Sequence, residues 1–206
     1  MIHSVAMLLV VVFSTWTSEA PTSEKPTTPR EAIVAATKAR NAHDLATAQR
    51  ILEDAVEKWP HDTILESYLA AALFAGRQID PSYRHFKHVC EEAGFEGDCS
   101  IAVGIDLVRN RWDDGLQTAE KFTETACQRS DRLWALKQLA RDPRHAMNTA
   151  ERLVAVEPGS ETSYLILAAA QWRAGHRERA RQTLRVGRQR ATKLVLLDEP
   201  ITWTSP

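Results

Sequence analysis

Glycine is scarce in this chain, eight of 206 residues. None sits in a phosphate-cradling loop or a G-x-G-x-x-G fingerprint, so nucleotide binding by either device is excluded. G-x-S-x-G and H-E-x-x-H are missing too, which removes the local signatures of a serine hydrolase and of a helical zinc protease. Apolar runs are short. The run from Val5 to Phe13 has nine residues, and spanning a bilayer takes about twenty. Excess charge of one sign is also lacking: 26 Lys and Arg face 27 Asp and Glu. A uniformly basic polyanion-binding surface is therefore not expected. From Pro29 onward, alternating apolar and polar runs between turn residues do not occur, which argues against a sheet.

What remains is a folded composition, 44% apolar and 26% charged, long enough for one sizeable core. The charge is uneven along the chain. Residues 29–127 hold 11 basic and 17 acidic side chains, a balance of -6, and residues 128–206 hold 14 and 8, a balance of +6. Such a dipole favours partners that meet one end, or a second copy joined head to tail. The opening MIHSVAMLLVVVFSTWTSEA has the short start, apolar stretch and small residues Ser18 and Ala20 of an export signal. Three readings stay open for residues 1–20, a cleaved signal, an uncleaved short anchor and an unexported apolar tail, because the start carries no Lys or Arg and Pro21 is a poor neighbour for a peptidase. Membrane attachment is expected only in the second case. Residues 21–28 form a Pro- and Thr-rich spacer.

The segment PREAIVAATKARNAHDLATAQRILEDAVEKWPHD reads as an antiparallel helix pair. Ala32, Ala35, Ala36 and Ala39 line one helical stripe, Asn41 to Asp44 turns, and Ala48, Ile51, Leu52 and Ala55 line a second before Pro60. Sliding 132 positions to ETSYLILAAAQWRAGHRERARQTLRVGRQRATKL puts Ala168 on Ala36, Ala180 on Ala48, Leu184 on Leu52 and Gly187 on Ala55. Two helices approach closely only where side chains are small, so Ala or Gly recurs at the crossings. Looser copies begin at Thr63, Gly97 and Arg129, with Gly104 as the small residue of the third.

This periodic pattern resembles the tetratricopeptide repeat family. The family asks for a small residue at position eight of each repeat, Gly near fifteen, Ala at twenty, a bulky apolar residue at twenty-four, Ala at twenty-seven and Pro at thirty-two. Ala36, Ala48, Leu52, Ala55 and Pro60 answer it in the first copy, and Ala168, Gly175, Ala180, Leu184 and Gly187 in the last. The resemblance implies an all-α, right-handed solenoid of about five hairpins over residues 29–194. It also implies a concave groove lined by the first helix of each hairpin, into which position twelve looks. That places Arg40, Phe74 and Trp172 on the groove wall with Arg173 beside them, a set suited to anchoring a protein or peptide partner. Residues 195–206 form a tail or cap, and the apolar Leu194 to Trp203 stretch is expected to fold back on the last hairpin, since a solenoid end needs covering.

Catalysis has little support. Glu53/Asp54, Glu91/Glu92 and Asp113/Asp114 are adjacent in sequence, so on a helix each pair diverges by about 100 degrees and cannot share a substrate. No catalytic residue and no cofactor are expected, and the chain is read as no enzyme. His85, His88, Cys90 and Cys99 are the best metal candidates, but Cys90 lies off the His85/His88 stripe and no closed tetrahedral set emerges. Under export, Cys90 and Cys99 flank one short inter-helix loop and suit a disulfide, leaving Cys127 over. Arg177, Arg181, Arg185 and Arg188 recur at spacings of four, four and three. They make one outer stripe, either a solvated face or an electrostatic contact for an anionic polymer or lipid, with nucleic acid the less favoured ligand. The leading expectation is an exported interaction module of the repeat type, periplasmic or secreted, serving cell-envelope assembly.

Overall fold

A computed structural model describes residues 25–125 and 131–204. Among them ten helices follow in chain order: α1 Pro29–Asn41, α2 Leu45–Lys58, α3 Thr63–Ala75, α4 Ile79–Ala93, α5 Glu96–Val108, α6 Trp112–Thr125, α7 Asp131–Arg141, α8 Pro143–Val156, α9 Glu161–Arg173 and α10 Arg177–Arg190. Consecutive helices pair as five hairpins, and each hairpin packs on the next through α2 and α3, α4 and α5, α6 and α7, and α8 and α9. The architecture is an all-α solenoid. Residues 1–20 and Cys127 lie outside the described residues.

The helices start where side chains can replace missing backbone partners. Thr28, Asp44, Asp62, Asp142 and Ser160 each accept backbone N–H groups of the following first turn. The turns inside the hairpins share one geometry. His43, Arg77, Asn110 and Gly175 all adopt positive φ, between 60° and 83°. The next residue's N–H in each case bonds a carbonyl five positions back: Asp44 to Ala39, Gln78 to Leu73, Arg111 to Asp106 and His176 to Gln171. This is a Schellman closure, which ends a helix at a left-handed residue. Gly76 sits at φ -78 and leaves the left-handed position to Arg77. The fourth hairpin differs, with Asp142 alone between α7 and α8.

Small residues mark the helix crossings. Ala32 and Ala36 of α1 and Ala48 and Ala55 of α2 are buried in one cluster with Leu52, Leu65, Leu69 and Leu73. In the last hairpin a Cβ on Gly187 would lie 2.8 Å from Tyr164 Cβ, so only glycine lets α10 approach α9 so closely. The third hairpin departs from the expected register. It starts at Glu96, and its close crossing uses Gly115 of α6 against Val103 and Asp106 of α5. Gly104 points the other way, toward Leu165 of α9 and Leu196 of the tail. A single glycine in a degenerate copy does not say which flank needs it small.

Cys90, at the end of α4, is joined to Cys99 in the first turns of α5, with Cα atoms 4.8 Å apart. The bond splices the second hairpin to the third. Two helices, α5 and α9, are buried on nearly every side: residues 98–100 and 102–108 of one, and residue 161 with residues 163–171 of the other. A helix with a single partner would keep a wet face. Here α9 also touches α7 and α5, and the rest of the cover comes from the segment after α10.

Candidate functional site

Helix α10 ends at Ala191 in extended backbone, and the chain turns back across the solenoid. Its first half is held by charge. Glu161 Oε2 accepts the backbone N–H groups of Val195 at 2.9 Å, Leu196 at 2.9 Å and Leu197 at 3.2 Å. Burial raises the Glu161 pKa, and those three N–H groups oppose the rise. Arg188 Nε donates to the Leu197 carbonyl at 2.5 Å. On the other flank Arg77 Nη2 donates to Leu194 O at 3.1 Å and pairs with Asp198 at 2.6 Å. The segment therefore does more than cover the last hairpin. It reaches the turn after α3, 117 positions away.

Its second half is held by one aromatic anchor. Trp203, 7% exposed, donates its indole N–H to the Leu107 carbonyl of α5 at 2.7 Å. The ring lies between Trp112, 5.3 Å away at 58°, and Trp172, 5.6 Å away at 61°, both angled as aromatic quadrupoles prefer. Thr204 Oγ1 accepts from Asn110, whose Oδ1 in turn accepts from the Trp112 indole at 2.9 Å. Leu107, Leu165 and Trp172 belong to α5 and α9, the first helices of their hairpins. The tail thus lies against the first helices of the third and fifth hairpins.

Beside this anchor opens a cavity of about 490 Å³, walled by Arg111, Trp112, Asp113, Trp172, Arg173 and Thr204. The Arg173 guanidinium stands 5.8 Å from the Trp112 ring, and that of Arg177 stands 5.5 Å from the Trp172 ring. Arg111 covers Tyr83 at 4.5 Å and pairs with the buried Asp106 at 2.7 Å. Burial raises Asp106, opposed by Arg111, and burial together with Asp106 pushes the Tyr83 hydroxyl up to about 12. The wall combines flat aromatic area with guanidinium groups already desolvated on one face.

The residues assigned to the groove wall separate. Trp172 and Arg173 meet in the cavity, but Arg40 and Phe74 do not line it. Phe74 packs edge-on against Phe86 of its own hairpin, and Arg40 is exposed on α1. Beside Phe74, the residues Ile64, Tyr68, Ala71 and Ala75 share one stripe of α3 and are exposed. Arg177, Arg181, Arg185 and Arg188, expected as one outer stripe, do not share one outer face, because three of them turn toward α9 or the tail. Arg181 and Arg185 both reach Glu178, at 3.3 and 3.6 Å, while Arg177 covers Trp172 and Arg188 holds the tail.

His85 and His88 have a common partner that spacing did not suggest. Their Nδ1 atoms lie 2.9 and 2.7 Å from the two oxygens of Glu66 on α3. Each ring thus turns its Nδ1 edge to one oxygen of the same carboxylate. Among the described residues no group of three or more His, Cys, Asp or Glu is arranged to hold a metal ion. No helix among them is long and apolar enough to cross a membrane.

The geometry matches solved proteins of one kind. MamA has a TM-score of 0.51 at 12% identity, with 79% of this chain and 91% of that one covered. A thermophilic TPR protein of Thermus thermophilus scores 0.50 at 14%, covering 83% and 95%. A tetratricopeptide repeat protein from Parabacteroides merdae scores 0.54 at 13%, covering 86% and 70%. No protein-family model and no curated protein matches the chain in sequence. At these identities the likeness is one of fold: the chain has the tetratricopeptide-like fold.

Proposed function

We propose that this tetratricopeptide-like solenoid is an exported, non-enzymatic interaction scaffold that holds a protein partner along its inner wall. The observation that carries the reading is the cavity between Trp112, Trp172 and Arg173. The few residues that dominate binding at protein interfaces are enriched in Trp, Tyr and Arg, which offer flat apolar area beside hydrogen-bond donors. The open apolar stripe of α3 extends that wall toward the first hairpin. Affinity capture with the chain from its native extract tests the proposal, comparing the parent with Trp172→Ala/Arg173→Ala. The double variant is expected to lose its protein partners. Retaining all of them sinks the groove assignment.

Export to a periplasmic or extracellular space, with a role in envelope assembly, belongs to the same proposal. The joined Cys90 and Cys99 support it, since such bonds persist in oxidising compartments. The chain has three cysteines, so protein isolated from its source under native redox conditions should titrate as one thiol. Three thiols would place it in a reducing compartment.

A second reading, an electrostatic adaptor for an anionic polymer or lipid, rests on Arg181 and Arg185, whose side chains stay 63% and 65% exposed. Their shared Glu178 weakens it. Salt separates the two, because contacts to phosphates fall steeply with ionic strength and apolar groove contacts do not.

A further inference from the structure

We infer that the slot holding Trp203 is a recognition site for a tryptophan presented by an extended segment of a partner protein, with Ile201 to Thr204 as its displaceable self-ligand. This deepens the groove proposal and rests on it. The two halves of the tail are attached very differently. From Leu194 to Asp198 the segment is fixed by Glu161, Arg188 and Arg77 through six hydrogen bonds. From Ile201 to Thr204 two are present, Trp203 to the Leu107 carbonyl and Asn110 to Thr204, the second of them exposed. The first half is a fixed cap, and the second is held by the buried Trp203, with Ile201 half-buried against the core and one surface bond at Thr204.

Open space borders the tip on two sides. A solvent-open cleft of about 490 Å³, walled in part by Thr204, lies beside it, and another of about 160 Å³ opens between Ile201, Trp203 and the α10 residues Arg181 and Leu184. A longer segment than the tip has room there. The Trp172 indole Nε1, moreover, is buried with no hydrogen-bond acceptor. A longer or differently placed segment could offer it a carbonyl, which the tip does not.

The slot states what it accepts. The Leu107 carbonyl at its floor needs an N–H or O–H donor on an aromatic edge. Two tryptophan rings wall it, with Arg173 5.8 Å from the Trp112 ring and Arg177 5.5 Å from the Trp172 ring. Indole satisfies all of these at once, having the largest apolar area of the aromatic side chains and a donor that cannot be mistaken for an acceptor. The tail shows that an extended backbone reaches the slot without disturbing either helix.

The test uses the full chain and a labelled peptide of the tail's own sequence, DEPITWTSP, as probe. A tethered tip competes at high effective concentration, so emptying the slot with Trp203→Ala should tighten peptide binding about tenfold or more. The same peptide carrying Trp203→Ala should not bind. Equal affinity of parent and variant, or of the two peptides, overturns the inference. Should Trp203→Ala lose its helical circular dichroism, a chain ending at Pro200, which keeps the Glu161 clamp, decides. If it is folded and binds the peptide, the inference stands; if it is unfolded or does not bind, the tip is structural and the inference falls. Failure here with partner capture still dependent on Trp172 and Arg173 would leave the groove proposal intact and remove only its tryptophan specificity.

Discussion

Glu161 Oε2 accepts the backbone N–H of Leu196 at 2.9 Å across 35 positions of sequence. The same oxygen serves Val195 and Leu197, so one buried carboxylate replaces the water that three consecutive N–H groups would otherwise need. A side chain of the first turn of α9 thereby decides the path of the chain after α10.

Removing that oxygen should free the tail and spare the helices. In Glu161→Ala three N–H groups lose their acceptor, at about 1 to 3 kcal/mol for each that stays buried. Detaching the segment is the cheaper response, since local opening caps the cost. Hydrogen exchange should show protection lost at Val195, Leu196 and Leu197 and kept in α1 to α4. Unchanged protection at the three amides would mean that the clamp is not what holds them.

The pH dependence has a defined sign. Burial raises the pKa of Glu161 above its ordinary 4.5, so between those values the folded chain binds more protons than the unfolded one. Stability therefore falls as pH rises through that window. Asp98 and Asp106, also raised chiefly by burial, act in the same direction. Glu31 and Asp44, lowered by hydrogen bonds from Thr27 and Thr47, act oppositely below the ordinary carboxylate range. Glu161→Gln keeps an acceptor but cannot titrate. Denaturant unfolding should show the parent gaining on this variant as pH falls from neutral toward 4.5; the reverse trend would show that the three N–H groups outweigh desolvation.

Two glycine substitutions should move stability in opposite directions. On Gly187 a Cβ would come within 2.7 Å of Leu197 Cδ1 and 2.8 Å of Tyr164 Cβ. Overpacking costs about 1 to 3 kcal/mol, against a helix-propensity gain of at most about 1 kcal/mol. Gly97, in the first turn of α5, faces open space, and Gly97→Ala should gain roughly 0.5 to 1 kcal/mol. Urea midpoints of the two single variants check both signs.

The hairpins were legible because close helix crossings admit few residue types, and Ala36, Ala48, Ala168 and Ala180 recur where those crossings fall. The turns were only partly legible. His43, Arg77, Asn110 and Gly175 share one left-handed conformation, but the hydrogen bonds that impose it come from the backbone, so a glycine pattern finds one of the four. Glu161 reads in sequence as an ordinary first-turn acid beside a helix dipole. Its partners lie about a repeat length away and are backbone groups, which leave no mark on residue choice. Trp203 was legible as apolar, whereas its seat on the Leu107 carbonyl was not, for the same reason. The pair Trp172 and Arg173 came from a repeat position and met in space; Arg40 and Phe74 came from the same position in earlier copies and do not line that cavity.

Stacked repeats ordinarily form an open line, free to peel from either end because each unit touches only its neighbours. The Arg77 contacts to Leu194 and Asp198 join that line back onto itself. Peeling α10 away then requires breaking bonds at the second hairpin, so the second to fifth hairpins should unfold as a block. During synthesis the order is fixed as well: α5 and α9 must wait, with their inner faces wet, until a segment made after both of them arrives to cover them.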